Sequence, residues 1–233
     1  MEADHLFKEG KLGDAIASLQ GELRSEPQDV PRRTFLFELL CFQGQFERAR
    51  KQLEVIESAD PSSYLGTTWF RQVIHAEEQR QEMFRTGDLQ DRFDGREAGP
   101  GSLNGEPFES LTDADPRIGP RLEVIAAGRY VWIPFSELSV VRVSAPKLLR
   151  DLYWASAEVE SSDPEAGDAN EVLLPALTAL SWQSPDEMVR LGRLTEWTEL
   201  DTGEETPIGQ KLLLVDGEDF PLLEIRELTF DRL

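Results

Sequence analysis

The sequence predicts an α+β protein of two domains, with tetratricopeptide-like helical repeats over residues 1–97 and a mainly antiparallel β domain with a short helix over residues 98–233. Three observations support this prediction. The first 85 residues contain an internal repeat, glycines and prolines cluster near residue 100, and β-branched and aromatic residues become frequent after that point. Helices and strands in separate parts of one chain are typical of an α+β fold and not of a parallel α/β sheet.

The helical prediction depends on four pairs of identical residues, each 34 residues apart. These pairs are Gly10 and Gly44, Ala15 and Ala49, Leu19 and Leu53, and Pro27 and Pro61. That spacing is the period of a tetratricopeptide repeat. Glycine lets the chain turn between paired helices, alanine permits close helix contact, and proline ends one helix or begins the next.

Apolar residues at helical spacing predict five helices in this repeat region. A short first helix ends near Glu9, and the second A-type helix covers about 31–43. A third A-type helix begins after Asp60 and Pro61 and continues to about Phe84. No third B-type helix follows, so the stack is incomplete, and we expect the second half of the chain to pack against it. We therefore expect residues 1–97 to be unstable alone.

The second half contains a series of segments that favour strands. Residues 86–107 are rich in glycine and proline, which predicts a linker or a long loop. A helix is predicted over 147–154, after Pro146. The dipeptide Asp216-Gly217 indicates a turn, in a loop longer than a two-residue hairpin. The predicted strands are 130–135, 139–143, 155–160, 172–174, 191–197, 211–215 and 222–228.

The composition disfavours several classes of partner. The chain has 45 acidic residues against 24 Lys plus Arg, and residues 98–233 hold most of the excess, with a net charge of −15. Such a surface repels phosphate backbones and anionic lipids, so neither nucleic acid nor a membrane is expected as a partner. Cys41 has no second cysteine to pair with, and neither a signal peptide nor a membrane helix is evident. We expect a cytoplasmic protein.

Motifs for catalysis or cofactor binding are missing from the sequence. There is no phosphate-binding loop, no G-x-S-x-G and no H-E-x-x-H, and the two histidines, His5 and His75, lack metal-ligand spacing. We expect neither a cofactor nor a metal. Asp113 and Asp115 could ligate a cation or share a proton, but before Pro116 such residues more often cap a turn. Arg129 and Arg150 are candidate structural partners for them.

The chain contains the segments FESLTDADPRIGPRLEVI (108–125), GRYVWIPF (128–135), LLRDLYWASAEV (148–159), VLLPAL (172–177), RLGRLTEW (190–197) and IGQKLLL (208–214). In their order and spacing, these segments resemble the ImpE/SciE (TagJ) family of accessory proteins of bacterial type VI secretion. The resemblance implies a non-enzymatic accessory protein that associates with the small sheath subunit and, through it, bears on recycling by the ClpV unfoldase.

Three functions remain open at this point. The first is an adaptor that holds an amphipathic helix of a partner protein in the groove of its A-type helices. The second is a chaperone-like structural module for another cytosolic partner, and the third is an undetected hydrolase. The adaptor hypothesis predicts a partner-binding groove on the second and third A-type helices, formed by Thr34, Phe35, Glu38, Phe42, Thr68, Trp69, Gln72 and His75.

Overall fold

The five predicted helices are present in the structure, a computed structural model that describes residues 2–89, 98–163, 170–200 and 202–231. Asp29 caps α3, where its carboxylate accepts the Arg32 backbone N–H, and Asp60 caps the 3-10 turn Pro61–Ser63 that leads into α5. The helices are α1 (Glu2–Lys8), α2 (Leu12–Ser25), α3 (Val30–Phe42), α4 (Phe46–Ala59) and α5 (Tyr64–Thr86).

The repeated residues have the positions that the 34-residue period predicts. Gly10 and Gly44 both have positive φ angles, 83° and 68°, in the turns after α1 and α3. This is a conformation that glycine adopts without strain. The repeated alanines and leucines are buried between helices. The prediction of tetratricopeptide-like packing is confirmed.

The described residues of the second half form three antiparallel sheets. An eight-stranded sheet has the order β2-β1-β13-β6-β7-β8-β4-β5, a second sheet has the order β12-β11-β3, and β9 pairs with β10. The strands are β1 (Gly101–Leu103), β2 (Glu106–Phe108), β3 (Leu111–Asp113), β4 (Arg121–Ala126), β5 (Arg129–Pro134), β6 (Leu138–Val143), β7 (Trp154–Ser161), β8 (Asn170–Pro175), β9 (Glu196–Glu199), β10 (Glu205–Ile208), β11 (Leu212–Val215), β12 (Glu218–Pro221) and β13 (Glu227–Phe230).

The large sheet has a hydrophobic core on each side. On β4, Leu122 and Val124 face a core that includes residues of the three-stranded sheet, whereas Ile125 faces the core of the helices. Alternation along a strand produces this division. Phe135, which follows β5, stacks on Phe230 of β13 with ring centroids 5.7 Å apart. Because these strands are distant in the sheet order, the sheet is curled.

Among the described residues, two-residue hairpin turns connect three pairs of neighbouring strands. Asn104-Gly105, Ala127-Gly128 and Asp216-Gly217 have positive φ at both positions, which matches the right-handed twist of the flanking strands. The prediction of a longer loop at Asp216-Gly217 is wrong, because β12 begins at the next residue. The sequence pattern missed β12, whose residues Glu218–Pro221 include two acids and a proline.

Other boundaries also differ from the predictions. Within 86–107, β1 and part of β2 form an edge hairpin and not a loop, while residues 90–97 lie outside the described residues. The proposed strand 191–197 begins only at Glu196, and 222–228 consists of the 3-10 turn Leu222–Glu224 followed by the start of β13. The predicted helix over 147–154 is present as the 3-10 turn Leu149–Leu152.

The β region also holds the ends of the first two helices. Glu187, on the short helix α6 (Glu187–Arg190), accepts the Gly13 backbone N–H at 2.8 Å near the start of α2. Arg193 donates to the carbonyls of Phe7 and Lys8 at the end of α1, at 2.8 and 2.9 Å. Both contacts satisfy backbone groups that a helix end leaves unpaired. In the described part of the chain, no helix is both long and apolar enough to cross a membrane.

Candidate protein-binding surface

The α3 half of the predicted groove is filled by the chain itself. The Phe42 side chain is 1% exposed and packs edge-to-face on Tyr153, with ring centroids 5.1 Å apart. Glu38 is nearly as buried and accepts from the Arg150 guanidinium at 3.3 Å. Burial raises the pKa of Glu38 to about 7, although Arg150 opposes the shift. Segment 149–153 therefore occupies the place that the adaptor hypothesis gave to a partner.

The two remaining α3 residues are also engaged within the helical layer. The Thr34 hydroxyl donates to the Val30 carbonyl at 3.0 Å, one turn earlier in α3. The Phe35 ring packs edge-to-face on Phe7 of α1, at 6.0 Å between centroids. Both residues remain partly accessible. A role for them in partner binding stays a prediction.

The α5 half of the groove opens to solvent. Thr68, Gln72 and His75 line a cleft of about 480 Å³ together with the turn between β4 and β5. At that turn, a Cβ on Gly128 would lie 2.9 Å from the Gln72 Cβ, so a larger residue there would push α5 away. A partner can reach this cleft without any movement of the β region. Binding by these three residues stays a prediction.

Trp69 lies in a separate cleft, between α5 and the large sheet. This cleft has a volume of about 350 Å³, and its floor is formed by β7 and β8. The Trp69 side chain is half-buried, with Leu173 beside it. Of the eight predicted residues, Glu38 and Phe42 thus lie under segment 149–153, Thr34 and Phe35 are engaged within the helical layer, and the other four line two open clefts beside α5.

A cluster of buried charges joins the C-terminal half of α5 to the sheet. Arg80 donates to the two carboxylate oxygens of Glu123 on β4 at 2.7 and 3.1 Å. It also donates to Glu77 at 3.0 Å and to the Leu177 carbonyl at 2.9 Å. These groups are 2% exposed or less on their side chains. Breaking such a buried network by removing one partner leaves uncompensated charge, which is strongly unfavourable.

Lys211 completes this cluster from the chain segment before β11. Its ammonium lies 2.6 Å from a carboxylate oxygen of Asp113 and also bonds Glu123, which accepts the Tyr130 hydroxyl as well. Burial raises the pKa of Asp113 to about 7. Burial also acts to raise the pKa of Glu123, but Arg80 and Lys211 outweigh it and hold that pKa below its usual range.

The carboxylate pair in TDADPRIGP has structural partners. Asp113 accepts the Asp115 backbone N–H at 2.9 Å, and Asp115 accepts the Arg117 backbone N–H at 3.0 Å and its guanidinium at 2.8 and 2.6 Å. The predicted pairing with Arg129 and Arg150 is wrong, because the cations that meet these aspartates are Lys211 and Arg117. Within the described ranges, no three His, Cys, Asp or Glu side chains are grouped to hold a metal ion.

Sequence reasoning missed Arg80, Glu123 and Lys211. One signal was available for Glu123: it is an acid inside the strand Arg121–Ala126, whose other residues are mostly apolar. An acid at such a position must meet a cation or a proton when the strand is buried. The sequence could not predict which cations pair with Glu123, because Arg80 and Lys211 are 43 and 88 residues away from it along the chain.

The fold and its clefts define a class of protein in which a tetratricopeptide-like stack packs on a curled antiparallel sheet. A tetratricopeptide-repeat model matches residues 6–66. The family model described as ImpE protein matches residues 105–229. The chain belongs to the ImpE family.

Two known proteins resemble this chain over nearly its whole length. The type VI secretion system accessory component TagJ of Pseudomonas aeruginosa is 37% identical, over 99% of this chain and 92% of that protein. The crystal structure of protein VPA1032 from Vibrio parahaemolyticus superposes with a TM-score of 0.88 at 21% identity, covering 100% of this chain and 98% of that one. The crystal structure confirms the fold, and the identity to TagJ supports the family membership.

Proposed function

We propose that this protein is a non-enzymatic accessory component of a bacterial type VI secretion system, which acts in the cytoplasm by binding the small sheath subunit. The observation that carries this proposal is the 37% identity to an accessory component of that system across almost the entire chain. Tetratricopeptide-like stacks commonly bind segments of other proteins, which agrees with such a role. An effect on recycling by ClpV would then be indirect, through the sheath subunit.

The surface offered to the partner is the α5 side of the helical layer. The α3 side is covered by Tyr153 and Arg150, so a partner helix there would have to displace a buried aromatic contact and an ion pair. On α5, by contrast, Thr68, Gln72 and His75 remain accessible in one cleft, and the half-buried Trp69 lines another. A helix of the partner can therefore bind along α5 without unfolding any part of this chain.

The carboxylates that could have indicated a hydrolase are used within the fold. Asp113 and Asp115 are nearly inaccessible to solvent and are held by Lys211 and Arg117. A substrate would have to enter the interface between helices and sheet to reach them. This arrangement supports a binding role over a catalytic one.

Co-purification with the small sheath subunit from the native cell tests the proposal. We expect a complex of defined stoichiometry, which size-exclusion chromatography with light scattering would measure, and loss of the complex when the binding segment of the sheath subunit is removed. Absence of a complex at micromolar concentrations would refute sheath binding. Suppression of sheath-protein aggregation without a defined complex would instead favour the chaperone-like function.

A further inference from the structure

A row of charged residues crosses the large sheet beyond the edge of α5. Strand register places Glu227 of β13 opposite Arg142 of β6, Arg142 opposite Glu158 of β7, and Glu158 opposite Glu171 of β8. Neighbouring residues on β7 and β8, including Ala157 and Val172, belong to the core on the other side of the sheet. The charged row therefore lies on the side of the sheet that faces the helices.

The charges in this row are not balanced. Arg142 donates to Glu227 at 3.1 Å and also pairs with Glu160. Glu158 and Glu171 are both exposed, and neither is within ion-pair distance of a cation among the residues that the structure describes. Like charges directly opposite each other in a sheet are unfavourable. A cation between these two carboxylates would relieve the repulsion.

Apolar surface adjoins the two unpaired carboxylates. Trp69 and Leu173 line the same cleft as Glu158 and Glu171, and the remaining wall is formed by small side chains such as Ser144 and Ser156. Leu65 lies one helical turn before Trp69 on α5 and is 79% exposed. An aromatic ring beside acidic groups suits a side chain with an apolar stem and a positive end, because the ring face also attracts cations.

We propose that this cleft, defined by Trp69, Ser156, Glu158, Glu171 and Leu173 and called the Trp69 cleft, binds a basic amphipathic helix of the small sheath subunit. The inference rests on the proposed function and specifies its site. An apolar residue of the helix packs on Trp69 and Leu173, and a lysine or arginine about one turn away reaches Glu158 and Glu171. The spacing of these contacts on the two molecules is similar. Alternate residues on a strand are about 7 Å apart, and one turn of the partner helix rises about 5.4 Å.

The charges of the two clefts beside α5 also indicate which kind of molecule binds and which cleft it binds. The net charge of this chain is −21, so a second copy of the chain would bring more acid to an acidic cleft. The cleft on the other side of α5 is lined by Arg71 and Arg129 and offers no acidic side chain among its lining residues. A basic helix is therefore better matched to the Trp69 cleft.

The test compares the affinity of purified small sheath subunit for the wild type, for Trp69→Ala, and for the double variant Glu158→Gln and Glu171→Gln. The matched control is Glu196→Gln with Glu199→Gln, which removes the same charge from the exposed strand β9. We expect Trp69→Ala to weaken binding about 30-fold, as loss of a central aromatic anchor does. The double variant should weaken it about 10-fold and reduce the salt dependence, while the control changes affinity less than about twofold.

Results that differ from these expectations contradict either the proposed function or the assignment of the binding site to the Trp69 cleft. If the wild type fails to bind the sheath subunit, the proposed function is wrong and the cleft assignment falls with it. If the wild type binds and neither Trp69→Ala nor the double variant changes affinity, only the cleft assignment is wrong. Equal losses in the double variant and the β9 control would show a general charge effect and would also reject the cleft. Because Glu158 and Glu171 are exposed, the double variant decides the matter even if Trp69→Ala reduces stability.

Discussion

Two groups of charged side chains differ in their access to water: one is buried beneath the C-terminal half of α5, and the other is exposed on the helix-facing side of the large sheet beside Trp69. In the buried group, Arg80 and Lys211 bond the carboxylates of Glu77, Asp113 and Glu123. In the open group, Arg142 is shared by Glu160 and Glu227, and Glu158 and Glu171 face each other without a cation in the described structure.

The difference follows from the cost of removing charge from water. A buried carboxylate without a partner is strongly unfavourable, so the chain must supply its own cations beneath α5. An exposed carboxylate is hydrated, and its repulsion from a neighbour is screened, so the chain can leave Glu158 and Glu171 unpaired. Charges that the fold leaves unpaired are the ones available to another molecule. The buried group thus serves folding, and the open group is the better candidate for binding.

Removal of the β region should disrupt the buried group of charges most severely. A fragment of residues 1–97 would retain Arg80 and Glu77 but lose Glu123, and Phe42 would lose its contact with Tyr153. We expect this fragment to lack a sharp thermal transition, because a stack this short cannot bury its exposed face alone. Circular dichroism on heating measures this. A cooperative melt equal to that of the full chain would show that the helical layer folds independently.

A single substitution in the buried group should have the next largest effect. Lys211→Met leaves Asp113 without its cation and Glu123 with Arg80 alone. We expect the free energy of unfolding to fall by about 3–5 kcal/mol, the range for removal of one partner from a buried ion pair. Urea denaturation measures the change. Arg142→Gln in the open group is the control, and similar losses in the two variants would refute the contrast between the groups.

The two aromatic residues of the predicted groove should respond differently to truncation. Phe42→Ala removes a ring from the core and should reduce the free energy of unfolding by about 3–5 kcal/mol. Trp69→Ala removes a half-buried ring from an open cleft and should reduce it less. Thermal melts of both variants provide the measurement. If Phe42→Ala melts at the wild-type temperature, segment 149–153 does not cover α3 in solution and the α3 groove becomes available to a partner again.

The pH dependence of stability tests the buried carboxyls specifically. The pKa of Asp113 is raised by burial to about 7, well above its usual range near 4, and Glu38 is raised to about 7 in the same way. Between about pH 4 and pH 7 the folded state therefore holds protons that the unfolded state has released. The contribution of these groups to the free energy of unfolding is therefore highest at the acidic end of this window. It falls as pH rises through the window, by at most about 1.4 kcal/mol per pH unit for each group.

Urea midpoints measured across this window would test the assignment. We expect the wild type to lose stability from pH 5 to pH 7, and Asp113→Asn with Glu38→Gln to lose less. Glu196→Gln on the exposed strand β9 serves as the control. If the urea midpoint of the double variant falls with pH as steeply as that of the wild type, other groups cause the pH dependence.

The sequence predicted those parts of the fold that depend on local patterns. The 34-residue period located the helices because each repeat uses the same glycine, alanine and proline for the same packing task. Strand prediction succeeded for apolar segments such as β5 and β6. It failed at 191–195, where the chain instead turns after α6 with Arg193 and Leu194 exposed, because two leucines three residues apart do not distinguish a strand from a turn.

Partner binding by the eight predicted groove residues stays a prediction. The α5 residues Thr68, Gln72 and His75 are accessible, as a binding role requires, whereas Phe42 and Glu38 are enclosed by the second half of the chain. The helical register predicted that these α3 residues face the concave side of the repeat stack. It could not show that Tyr153 and Arg150, more than a hundred residues later, would cover them.

By itself, therefore, the sequence determined the helical repeats, the order of helices before strands and the membership of a family, because these depend on spacing along the chain. The tertiary structure alone decided which groove is filled, which acids meet Arg80 and Lys211, and which acids remain open. Those outcomes depend on contacts between residues 43 to 112 positions apart. The free energy of a charge is set by whether such distant neighbours exclude water from it, and no local pattern contains that information.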